Sequence, residues 1–150
     1  MKPVAADLAL RGVTVVRGAA PLDIVEDAVV LIRGDRLSYV GPRRGAPDVP
    51  ATARALDLPG HVVIPGLVNV HTHTILTMVR GVAEDMGFAP AYTPGVPHGH
   101  EVSPQEAVAL ARLGALEALL FGSTLINDSY VHADVTLPAM EAVGLRVTAC

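Results

Sequence analysis

The feature that most limits what this chain can fold into is a change of pattern at Pro65-Gly66. Upstream of it, short apolar runs alternate with turn residues. Residues 8–10 and 13–16 flank Arg11-Gly12, and a polar loop through Pro21, Asp23, Glu26 and Asp27 follows. Residues 28–32 and 37–40 then bracket Gly34-Asp35, whose leading glycine suits a type II′ hairpin turn. After a Pro/Gly-rich stretch over 41–50, residues 55–58 and 62–64 flank Pro59-Gly60, another turn signal. This spacing predicts a small antiparallel β unit over 1–65.

Downstream the grammar is that of strands and helices in alternation. Residues 67–70 form a short apolar strand. After a long loop, Ser103 as cap, Pro104 at the first helical position and Glu106 three after the cap mark a helix start, and Gly122 its end. Residues 123–126 form a second strand leading to Asn127-Asp128. A second helix over about 135–143 is stopped by Gly144, and 145–149 is a third strand. Strand, helix, strand, helix, strand over 66–150 predicts an α/β unit with parallel strands and right-handed crossovers.

Composition sharpens the second half. Hydrophobic residues make up 51% of the chain but aromatics only 3%, so the surplus is aliphatic and suits buried strands and the helices that cover them. On a helical wheel, Ala107, Ala111, Gly114, Ala115 and Ala118 form one narrow face that lets a helix sit close on a sheet. The other face mixes Gln105, Glu106, Arg112 and Glu117 with Leu113, Leu116 and Leu120. Such a helix expects cover on both sides.

The same composition excludes several classes. Disorder needs low hydrophobicity and high charge, whereas only 17% of the residues are charged. The apolar stretches are broken by Arg112 and Glu117 or by Pro65 and Asn69, short of the ~18 residues a spanning helix needs, so no membrane partner is expected. A net charge of −4 without a basic cluster excludes nucleic acid. Asp7 interrupts what would be the apolar core of a signal peptide. The single Cys150 makes no internal disulfide, and a reducing cytoplasm is expected.

The chemistry concentrates in Pro65-Gly66-Leu67-Val68-Asn69-Val70-His71-Thr72-His73. Strand residues two apart share a face, so His71 and His73 present two imidazoles together at the strand's C-terminal end. In parallel α/β folds ligands and catalytic groups gather at that end. Two neutral imidazoles there suit one borderline divalent metal such as zinc or iron(II), or they are ordinary histidines near a strand end.

The nine residues together resemble the signature of the amidohydrolase superfamily, and most closely its cytosine deaminase and chlorohydrolase-like branch, where asparagine commonly precedes the histidines. Arg80-Gly81 is similar to the arginine-glycine pair after the family's first barrel strand, and Gly122-Ser123-Thr124 with Asp128 resembles its second strand. The leading β unit looks like the N-terminal part of the family's β-sandwich. The resemblance thus implies an α/β architecture in which 1–65 is part of a β-sandwich and 66–150 the first three strands and two helices of a metal-dependent (β/α)8 TIM barrel. It implies one divalent metal, zinc before iron, held by His71 and His73. It also implies hydrolysis of a C–N bond other than a peptide bond in a small heterocyclic amine, by metal-activated water, in a homo-oligomer.

A (β/α)8 barrel takes ~250 residues, and 66–150 supplies about a third of that. The family's remaining histidines, its aspartate and its proton shuttle lie beyond the third strand. The chain is therefore expected to be the N-terminal fragment of a deaminase, without turnover by itself. The alternatives are a non-catalytic truncated protein with a weak metal-binding or interaction role, and a dechlorinating or hydantoinase-like hydrolase of the same superfamily.

A second H-x-H, His98-Gly99-His100, stands in a loop with Pro90, Pro94, Gly95 and Pro97. It is either a substrate-contacting loop or a solvated one, since long loops at this end of a strand often carry specificity. Asp128 is expected to hold structure by hydrogen bonds, Thr72 to point away from the metal, and His61 and His132 to sit in turns or at the surface. Met78, Met86 and Cys150 are expected to fill apolar gaps.

Overall fold

A computed structural model of the chain describes residues 5–18, 21–82 and 95–149. Met86, Pro90, Pro94 and Cys150, singled out above, lie outside the described residues. The chain divides into two compact units, Met1–Pro65 and Gly66–Cys150.

The first unit is one five-stranded sheet built on β1 (Leu8–Arg17), β2 (Asp23–Arg33), β3 (Arg36–Pro42), β4 (Arg54–Asp57) and β5 (Val62–Val63). Antiparallel pairing joins β1 to β2 and β2 to β3, the second through the hairpin that Gly34-Asp35 announces. At the β2–β3 turn Gly34 has φ 57°. The sequence expectation of a wholly antiparallel unit is corrected at the other edge. Both β4 and β5 run parallel to β1, one beside Leu8–Arg11 and the other beside Thr14–Val15. Pro59-Gly60 carries the chain between them along the same edge rather than closing a hairpin.

Two further turn expectations give way to strand. Arg11-Gly12 does not break β1; Gly12, at φ 72°, sits where the pairing with β2 shifts register. One extra residue in a strand exchanges its faces. Ala9 accordingly packs with Ala6, Val29 and Leu31 on one side of the sheet, while Val13 and Val15 pack with Ala28 and Val30 on the other. The polar run Asp23–Asp27 likewise lies within β2, because Asp23 pairs with Arg17 and Asp27 accepts hydrogen bonds from Arg43 through both its backbone carbonyl and its carboxylate. Polar residues whose groups are so satisfied do not end a strand.

The second unit is a parallel sheet in the order β6 (Leu67–Thr72), β7 (Ser123–Asp128), β8 (Arg146–Ala149). A 3-10 turn over Thr74–Val79 follows β6, helix α1 (Pro104–Leu120) joins β6 to β7, and α2 (Ala133–Glu141) joins β7 to β8. The start of α1 is the capping box its sequence announces: Ser103 Oγ accepts from the Glu106 amide, and the Glu106 carboxylate accepts from the Ser103 amide at 2.7 Å. Helix α2 begins two residues before the expected start, behind His132 in a left-handed conformation at φ 61°.

Ala107, Ala111 and Ala115 are fully buried and meet Ile75, Ile126, Met140 and Leu145 in the core of this unit. Gly114 extends that small face. A Cβ at Gly114 would stand 2.8 Å from the carbonyl oxygen of Thr74, closer than real Cβ atoms come to backbone, so α1 lies against the residue that follows His73. The opposite face of α1 keeps Leu113, Leu116 and Leu120 exposed, as does β6 its Leu67, Val68 and Val70.

Candidate metal centre

The strand that carries the site, β6, has its C-terminal end fixed from three directions. Asn69 Oδ1 accepts from the His71 amide at 3.1 Å, a local bond that supports the chain where pairing with β7 becomes irregular. Asn127 Nδ2 donates to the Val70 carbonyl at 3.1 Å, and Asn127 Oδ1 accepts from Thr148 Oγ1 at 3.0 Å, so one side chain of β7 ties β6 to β8. Beyond the strand, the buried Asp128 carboxylate accepts from the Thr74 amide at 3.3 Å and from the Thr74 hydroxyl. Asp128 therefore makes the structural hydrogen bonds expected of it, and they clamp the residue next to His73.

Held this way, His71 and His73 turn toward each other. Their Nε2 atoms stand 3.2 Å apart, with ring centroids at 4.7 Å and planes at 76°. A zinc ion bonded to both nitrogens at 2.0–2.1 Å with a tetrahedral angle needs them about 3.3 Å apart, so the pair fits one cation in tetrahedral coordination. One ring donating N–H to the other gives a similar separation. His73 Nδ1 is buried and has no hydrogen-bond partner among the described residues. A metal-bound histidine normally donates from that second nitrogen to an oxygen. No group of three or more His, Cys, Asp or Glu converges among the described residues, so these offer two imidazole donors where a catalytic zinc site normally has three protein ligands.

Arg80, of the arginine-glycine pair, places its guanidinium on Glu117 of α1 in a two-pronged ion pair at 2.5 and 2.6 Å. That pair holds the Glu117 carboxyl below its ordinary range and struts the segment after the 3-10 turn against the helix. An open cavity of about 530 Å3 lies beside it, lined by Asn69, Thr72, Thr77 and Phe121. His73 borders this cavity and His71 does not, so it flanks the imidazole pair rather than forming its mouth.

The second histidine pair stands close to the first through a residue the sequence did not single out. The Tyr130 ring lies 4.6 Å from the His73 ring and 5.8 Å from the His100 ring, and its hydroxyl donates to the His98 carbonyl. Burial, and then the negative charge of Glu101, push the Tyr130 phenol above its ordinary range, which keeps it a donor. Glu101 itself is held below the ordinary carboxylate range, first by its own backbone N–H and then by that of His98, whose amide stands 3.2 Å from its carboxylate. Tyr130 lies just past the end of β7, where strand periodicity stops predicting direction; the only signal was an aromatic residue two positions after Asp128 in an aromatic-poor chain. His61 is exposed after the Pro59-Gly60 turn, and His132 sits in the turn that leads into α2 without a side-chain bond to the helix, as expected of turn residues.

Residues 62–150 match the Amidohydrolase family. A 5-methylthioadenosine/S-adenosylhomocysteine deaminase of Nitratidesulfovibrio vulgaris is 36% identical over 141 residues, which are 93% of this chain and 32% of that protein. A 5'-deoxyadenosine deaminase of Methanothrix thermoacetophila is 33% identical over 91% of this chain and 32% of its own length. The chain thus spans about a third of the length of the curated relatives it matches. Among solved structures, an adenosine deaminase from Xanthomonas campestris with bound zinc superposes with a TM-score of 0.77 at 26% identity, over 97% of this chain and 34% of that one. An atrazine chlorohydrolase from Arthrobacter aurescens, a mutant complexed with zinc and atraton, gives a TM-score of 0.74 at 24% identity over 95% of this chain and 35% of the other, a likeness of fold.

Proposed function

The chain belongs to the amidohydrolase family, and from that premise we propose that it is the front portion of a metal-dependent deaminase acting on a small heterocyclic amine, an adenosine-type nucleoside altered at its 5′ carbon. The observation that carries this reading is the convergence of the His71 and His73 Nε2 atoms to 3.2 Å at the C-terminal end of a parallel strand. The names of the relatives at 33–36% identity support the leaving group, ammonia, and the nucleoside class.

In this reading 1–65 is part of a β-sandwich, and β6, β7 and β8 with α1 and α2 are the opening third of a TIM barrel whose later strands complete the metal site. His71 and His73 hold one divalent metal, zinc before iron, as neutral imidazoles through Nε2. When bound, such a metal acts as a Lewis acid that makes water a competent nucleophile near neutral pH. The chain's own residues supply position. Asn69 and Asn127 fix the end of β6, and the Thr74–Asp128 clamp sets the entry to the 3-10 turn, so the two rings keep their separation without a third ligand. Neither histidine moves a proton during turnover, because each commits its Nε2 lone pair to the metal; the proton shuttle comes from another part of the protein. The 150 residues alone have no turnover. A homo-oligomer in a reducing cytoplasm completes the proposal; no helix among the described residues is long and apolar enough to cross a membrane.

The test is ammonia release from 5-methylthioadenosine by the intact protein loaded with zinc, beside chloride release from a chlorotriazine. Ammonia that disappears on chelation and returns with zinc is the expected result. Chloride release without ammonia would replace the deaminase by the dechlorinating alternative.

A further inference from the structure

The residues just before α1, from His98 to Glu101, lie close to the imidazole pair. Three independent contacts converge on one side chain. The Tyr130 hydroxyl donates to the His98 carbonyl, and its ring lies 5.8 Å from the His100 ring and 4.6 Å from the His73 ring, tilted to both. Gly99, between the two loop histidines, is buried at φ 82°, and a Cβ there would stand 2.8 Å from Ile75 Cδ1 and 3.0 Å from Tyr130 Cε1. The loop backbone is thus pressed onto Tyr130 and onto the core residue two positions after His73. His98 Nε2 is buried without a hydrogen-bond partner among the described residues, and the 3.2 Å contact of the His98 amide with the Glu101 carboxylate closes the segment on itself.

We infer that Tyr130 is a positioning residue that pins the His98–Glu101 segment beside the His71/His73 pair, making that segment a fixed wall of the substrate site. The inference rests on the metal-site reading above for what the wall encloses, and on the contacts of Tyr130 for the pin itself. The phenol cannot be replaced by a ring alone, because the hydroxyl holds the loop and the ring holds His73. A solvated loop, the other reading of this H-x-H, would leave Gly99 exposed with open space where a side chain would stand.

The experiment compares the intact zinc-loaded protein with its Tyr130→Phe and Gly99→Ala variants by amide hydrogen exchange across 98–101, zinc content and steady-state kinetics on 5-methylthioadenosine. Tyr130→Phe keeps the ring and loses one hydrogen bond. It should speed exchange across 98–101 by about tenfold, the factor equivalent to ~1.4 kcal/mol, leave zinc content unchanged, and raise KM by a similar factor while kcat stays within about twofold. Gly99→Ala leaves Tyr130 in place and should loosen the same amides by crowding it. Exchange unchanged in both variants would overturn the pin, and so would a fall in kcat at constant KM. A wild-type protein that bound no zinc or released no ammonia would sink the proposed function, while faster exchange in the two variants would still uphold the pin.

Discussion

Strands β2 and β6 are both rich in branched aliphatics, yet they are buried to opposite degrees. In β2 the run Ala28–Leu31 is buried on both faces, with Leu31 at 0% exposure, because β1 and β3 flank it and alternate residues enter two separate clusters. In β6, Val68 is 57% and Val70 73% exposed, and among the described residues pairing reaches it from β7 alone. The difference teaches what each strand is for. β2 spends its apolar residues on a core that the first unit closes by itself. β6 holds its C-terminal end through polar ties, from Asn69, Asn127 and the Thr74–Asp128 clamp, and in the proposed barrel its exposed apolar flank would be covered by further strands.

The largest effect that should separate the two strands comes from Leu31→Ala in β2. Removing a fully buried leucine costs ~2–5 kcal/mol through lost transfer energy and the cavity left behind, read by denaturant unfolding. A cost below ~1 kcal/mol would mean the first unit is packed far more loosely than its two clusters indicate. Val70→Ala in β6 should fall within ~0.5 kcal/mol in the 150-residue chain, where the side chain is exposed, and cost ~1 kcal/mol or more in the intact protein if barrel strands cover it. Equal costs in both settings would break the idea that β6 is covered there.

The smallest effect is electrostatic and belongs to the strut behind β6. Arg80 lowers the folded-state pKa of Glu117 below its ordinary value of 4.5, so the ion pair stabilises the fold above that value and the contribution is lost as pH falls through the lowered folded value. Glu117→Gln should therefore lower Tm slightly at neutral pH, with the two proteins converging as pH falls through the lowered folded value. A gap that persisted in acid would show that Glu117 acts by something other than its charge.

Much of this was legible in the residues. The capping box of α1, the Gly34-Asp35 hairpin, the alternation after Pro65-Gly66 and the shared face of His71 and His73 are all local rules, and each is met locally in the fold. The parallel β1–β4 and β1–β5 pairings were not legible, because a turn at Pro59-Gly60 reads the same whether it closes a hairpin or passes the chain along one edge. The bulge at Gly12 hid for a related reason, since a left-handed glycine marks a turn and a register shift alike. The contacts of Tyr130 escaped because one of them is made to a residue 32 positions away in sequence, which no periodicity encodes.

The central claim is that His71 and His73 share one metal ion, and the metal content of the intact protein tests it most directly. After incubation with zinc and removal of the excess, the account predicts a bound metal that is lost in both His71→Ala and His73→Ala, with each variant still folded by its thermal transition. A folded variant lacking either imidazole that kept the full metal content would contradict the account.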